Sequence, residues 1–179
     1  MAIQTTDLLY KYTGASSHDA AQASAAASLG NYRASSLITS GADNNLFEDV
    51  SGADAAAGAT HYRAIAFHNA HGTLPLTAAV TWISVDTGNG EDDISFAVEA
   101  PANEVNGTIQ TIANEDTAPA TVSFSDATSK ATGEACPNGS GEVGAGEWFG
   151  IWVRRIISAA ASAADAEAVT LRTEGETAA

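Results

Sequence analysis

His61, His68 and His71 fall within eleven residues, and three imidazoles at that density are the first place to look for metal chemistry. Zinc needs a fourth ligand, and His-x-x-His at a strand end is not a zinc spacing without one. The three read as strand-end and turn histidines. Residues 86–93 offer many hard oxygen ligands to calcium but lack the EF-hand spacing and its final glutamate. They read as an acidic hairpin in water. Ser17, His18 and Asp19 are the three residue types of a hydrolytic triad, but as direct neighbours they cannot align nucleophile, base and orienting acid. Cys136, the one cysteine, sits near Glu134 in a Gly-rich loop. Nearby carboxylates disfavour the thiolate, and a single cysteine excludes an intrachain disulfide and any Cys-based zinc site. Residues 139–146 are Gly-rich but carry an acid and no lysine, which repels phosphate. A glycosidase-type carboxylate pair depends on a separation in space. No catalytic residue, metal ligand or cofactor is assigned, and the chain is read as a non-enzyme.

The remaining chemistry is aromatic and cationic. Trp148 and Trp152 share parity on one predicted strand and so lie on one face. With Trp82 they are candidates for a sugar platform or, alternatively, for a core short of large side chains. The positive charge is scarce: Arg63, Arg154, Arg155 and Arg172 make up most of the 7 basic residues, against 22 acidic ones. Some of these arginines must pair with the surplus acids, of this chain or of a neighbour.

The elements that hold these residues follow from periodicity. From about residue 46 the pattern is period two. Strands are predicted at residues 61–68 (with Arg63, Ile65 and Phe67 on one face), 76–85, 94–98, 108–112, 121–124, 148–157 and 168–173, separated by turn-rich stretches. The 148–157 strand is the most apolar and reads as central, buried on both faces over part of its length. Residues 158–166 read as a long hairpin connection. This pattern predicts an all-β fold: an antiparallel β-sandwich, Ig-like or jelly-roll-like, over residues 46–179. Residues 1–45 read as an Ala/Ser-rich N-terminal arm, partly extended, with a short strand at 8–12 and a marginal helix between residues 14 and 30.

The net charge of −15 argues against nucleic acid, whose counterions only Lys and Arg displace, and against an anionic membrane. No apolar run approaches the roughly 20 residues of a membrane span. The first residues lack the pattern of a secretion signal.

Three segments, residues 45–63, 111–125 and 146–155, with a closing Leu171-Arg172-Thr173-Glu174-Gly175, resemble a family of small virion structural proteins of tailed bacteriophages. The resemblance implies an Ig-like or related sandwich that coats or cements a capsid, made in the host cytoplasm and carried on the virion surface. It implies the major capsid protein as partner, together with self-association into dimers or trimers, and it brings no catalytic residues. Leu8, Tyr10 and Tyr12 of the arm, with Arg154 and Arg155, are the residues expected to contact a partner. Tail, neck or fibre placement, or a carbohydrate-binding adhesion module, are the alternative readings. A carboxylate-based hydrolase is a further one.

Overall fold

A computed structural model describes residues 2–87, 91–162 and 167–177, with residues 100–104 as backbone only. The strands are β1 (Leu8–Ala15), β2 (Gly30–Leu37), β3 (Ala59–Asn69), β4 (Leu76–Asp86), β5 (Asp92–Glu104), β6 (Ile109–Thr111), β7 (Glu134–Ala135), β8 (Trp148–Ile157) and β9 (Val169–Thr177), with one short helix α1 (Gly52–Ala57). They form two antiparallel sheets packed as a sandwich, one of six strands in the order β5-β8-β3-β1-β2-β6 and one of three in the order β7-β4-β9. The fold is the expected all-β sandwich.

Alternation along β3 and β8 explains the layering. Ile65 and Phe67 of β3, with Phe149, Ile151 and Val153 of β8, face the small sheet and pack against Leu76, Ala79, Ile83 and Val143. The opposite parity, Ala64, Ala66, Trp148 and Trp152, faces outward but is also buried, under Leu29, Ile109, Ile112, Val122 and Phe124. The large sheet is therefore covered on both faces, as its near-continuous apolar strand requires. Large residues meet small ones across this outer layer. Gly150 lies between the two tryptophans, and a β-carbon there would stand 2.6 Å from Ile109 Cγ2.

The expected strands at 61–68, 76–85, 94–98, 108–112, 148–157 and 168–173 appear as β3, β4, β5, β6, β8 and β9. Residues 121–124 form no strand. The chain there bends across the outer face, where Val122 and Phe124 pack on the cluster that includes Ala97 of β5 and a bridge joins Phe96 to Ser125. Of the expected 158–166 connection, residues 163–166 lie outside the described part, as do residues 88–90 of the acidic 86–93 loop.

The N-terminal region differs from the expected arm. Strand β1 lies inside the large sheet, paired with β3 from Leu8↔Asn69 to Tyr12↔Ile65 and with β2 on its other side. The boundary at residue 45 thus falls within one sandwich. The helix expected between residues 14 and 30 is absent, and its Asp19 forms ion pairs with Lys11 at 3.0 Å and Arg33 at 2.7 Å. The segment lacks an apolar stripe because what it buries is small or polar, namely Ala15, Ser28 and Gly30.

Candidate functional site

The five residues expected to contact a partner are spread over both faces of the large sheet. Leu8 packs against the inter-sheet core. Tyr10 meets Phe67 edge-on and its hydroxyl hydrogen-bonds Thr173 Oγ1 at 2.7 Å, across the sandwich. Burial pushes its hydroxyl pKa well up. Tyr12 is buried and donates to the Asn45 carbonyl at 2.8 Å. These three tie the sheet to the layer above it. Arg154 points to the outer face, where it donates to Ser95 Oγ at 2.8 Å and lies over the Phe124 ring at 4.7 Å. Arg155 points inward and is 8% exposed.

Around Arg155 the structure gathers a cluster that spacing alone did not reveal. Arg155 and His61 are register partners on β8 and β3. Arg155 donates to the Glu48 carbonyl at 3.0 Å and contacts His61 Nδ1 at 3.2 Å, while the Phe47 ring lies 4.7 Å from its guanidinium carbon. Burial lowers its pKa from the ordinary value, and the charge of Asp92 opposes that. Arg63, two residues along from His61, pairs with Glu115. His61 Nε2 stands 3.6 Å from Asp116 Oδ1.

His61, Glu115 and Asp116 bring ligand atoms within 4.8 Å of one another, the one such metal-type group among the described residues. Its wiring opposes a cation. A guanidinium can only donate, so Arg155 makes His61 Nδ1 the acceptor and leaves the proton on Nε2, the atom that would face a metal. Glu115 is already held by Arg63. The cluster works as a clamp, fastening the loop with Phe47 and Glu48 to the end of the sheet. Residues 114–116 appeared in the sequence only within a resembling segment, and their approach to β3 depends on the chain folding back over the outer face.

The three clustered histidines do not meet. His61 and His68 lie seven residues apart on one strand, roughly 23 Å at strand rise. His71 Nδ1 instead accepts from the Thr73 and Leu74 amides at 3.1 and 2.9 Å. Burial and the charges of Arg33 and Lys11 lower His68 to about 4. Cys136 is buried, and burial pushes its thiol up to about 11, so it is an inert core thiol. Trp148 and Trp152 are both 0% exposed and belong to the core, leaving no sugar platform there. The indole of Trp152 donates to Glu99.

A cleft of about 1080 Å³ opens between the loop at residues 40–50 and the small sheet. Its floor is Tyr10, Ile65, Ile94, Arg155 and Ile157 of the large sheet. One side is the loop. The other is residues 167–171, which enter and begin β9, with Asp86, Glu91 and Asp92 at the end. Burial raises Asp92 to about 6, and the charge and hydrogen bond of Glu167 and the charge of Asp86 add to this, while Arg155 opposes it.

Comparison with protein-family models, curated proteins and solved structures finds no match to the chain.

Proposed function

We propose that this chain is a non-enzymatic structural protein of a tailed-bacteriophage virion, a decoration or cement protein seated on the lattice of the major capsid protein. The observation that carries the reading is the partition of charge. Lys11, Arg33, Arg63 and Arg155 are all buried, and Lys130 and Arg172 both pair with Glu174. The cations are spent on holding the sandwich together. The surplus acids of a chain with net charge −15 face outward, and such a surface keeps copies soluble and steers them to basic partners. A sandwich covered on both faces of its large sheet is a rigid body for repeated attachment. Repetition on a lattice turns weak single contacts into firm binding. The segments that resemble virion proteins include β8, the cover of the outer face and the loop that walls the cleft.

Tail, neck or fibre placement is the competing location. Co-sedimentation of the purified chain with capsids assembled from the major capsid protein encoded beside it tests the reading. Saturable binding at a fixed ratio to capsid subunits, weakening as salt screens the charge, is the expected result. Background pelleting at every ratio would contradict it.

A further inference from the structure

The small sheet has three strands above a sheet of six, so its layer is incomplete. Strand β9 pairs with β4 along one edge only. Among the described residues, no backbone hydrogen bond is made from the other edge of Val169–Leu171. Three consecutive residues of β9, Val169, Thr170 and Leu171, line the cleft, with Glu167 and Ala168 leading into them. Since strand side chains alternate between faces, a run that lines a cavity without skipping presents its edge to it. The floor below is largely apolar, from Ile65, Ile94 and Ile157. The far wall is pinned by Tyr12 to the Asn45 carbonyl and by Arg155 to the Glu48 carbonyl. The result is a slot with a backbone edge on one side, apolar side chains beneath and a fixed wall opposite.

Edges of this kind are normally blunted by lysine or proline, or covered. Val169, Thr170 and Leu171 have high strand propensity and include neither residue. The charge around the slot has one sign: Asp43 and Asp49 lie on the loop side, and Asp86, Asp92 and Glu167 on the strand side. The one cation in the lining, Arg155, is directed to Glu48 and His61.

We propose that this slot accepts an extended polypeptide segment of a partner, apolar in its middle and carrying Lys or Arg at its ends, which adds to β9 as a fourth strand of the small sheet. Main-chain hydrogen bonds to β9 supply affinity, the apolar floor selects every second side chain, and the acidic rim selects the basic ends. Residues 167 to 171 are four strand steps, roughly 13 Å, of which Val169–Leu171 lie in β9 itself, so the paired segment is about three to five residues long. The hydrogen-bonded carboxyls of Asp92 and Glu167 mark where a cationic side chain would relieve like-charge crowding. The slot is read from this chain alone and stands whether or not the chain is carried on a capsid.

The test is a titration of the isotope-labelled full chain with a short synthetic peptide of alternating Val and Thr between terminal lysines, followed by NMR. Saturable shifts of the amides at 167–171 and 43–49, with Kd below about 1 mM, are expected. N-methylation of alternate peptide amides, or glutamate in place of the terminal lysines, should each weaken binding about tenfold or more. The Asp92→Asn/Glu167→Gln double variant, checked for fold by circular dichroism, should weaken the lysine peptide several-fold and not the glutamate one. Absence of shifts at 167–171 at about 1 mM peptide, or equal binding of the lysine and glutamate peptides, would overturn the proposal. The same shifts on concentrating the protein without peptide would assign the slot to a second copy and overturn it equally.

Discussion

The two halves of the large sheet are held by different forces. Strands β3 and β8 pair without interruption from Ala59↔Ile157 to His68↔Trp148, and eight of the ten β8 residues are buried. Their cohesion is apolar burial on both faces. Strands β1 and β2 pair in a register broken by two shifts. What is buried there is Lys11, Thr13 and Arg33 among small alanines. Asp19 holds both cations, and Thr13 Oγ1 donates to the Ala64 carbonyl at 2.7 Å. One sheet thus joins a part held mainly by apolar burial, with an ion-pair clamp at one end, to a part whose buried cations depend on a single half-exposed carboxylate.

The most severe way to break that contrast is to remove its polar half. Deleting residues 1–30 takes away β1, which sits between β3 and β2. The expected outcome is loss of cooperative unfolding by circular dichroism, where a dispensable arm would leave the melting curve unchanged. In the apolar half, Trp152→Ala should cost about 3–5 kcal/mol in urea unfolding, because the indole is fully buried and Glu99 loses its donor. A loss under about 1 kcal/mol would place the ring at the surface.

Asp19→Asn sharpens the contrast. It leaves two buried cations short of their partner, and about 2 kcal/mol is expected at neutral pH, below the cost of breaking a fully buried pair because Asp19 is half exposed. Burial raises the Asp19 carboxyl, but the hydrogen bonds and charges of Arg33 and Lys11 outweigh it and hold the pKa at about 2, against an ordinary 3.8. A lowered pKa contributes stability above the unfolded value and loses it as pH falls through the folded one. The gap between wild type and variant should therefore close between about pH 4 and pH 2, while Trp152→Ala keeps its cost throughout.

The smallest effect has the opposite sign. Asp92 is raised to about 6, so its contribution to stability is present below pH 4 and is lost as pH rises through 6. Asp92→Asn should stabilise by about 1 kcal/mol at pH 8, discounted for partial exposure, and by nothing at pH 4. Thermal unfolding at the two pH values checks this. Equal shifts at both would mean that burial and Glu167 do not raise the carboxyl.

The same contrast explains what could be read from the chain. Apolar alternation announced β3, β4, β5 and β8, and the sandwich followed from them. Strand β2, Gly30–Leu37, has Tyr32, Arg33, Ala34, Ser35 and Ser36 in its middle, a pattern with no apolar period. Its burial depends on Asp19 and on the Gly146 carbonyl, both met by Arg33, contacts made only after folding. The parity of Trp148 and Trp152 put both on one face, but whether that face was solvent or core depended on the segment from Ile109 to Phe124 folding over it. The clamp of Arg155, His61 and Phe47 and the slot beside β9 were hidden for the same reason. Each is assembled from segments distant in sequence, and the slot is a missing strand, which no residue announces.

The central claim is that the chain acts by attachment to a capsid lattice and carries out no reaction. A cryo-EM map of purified virions of the phage proposed to encode it tests this most directly. The account predicts the nine-stranded sandwich at symmetry-related positions on the outer capsid surface, at near-full occupancy. Particles with no copy of the chain on the head would contradict it.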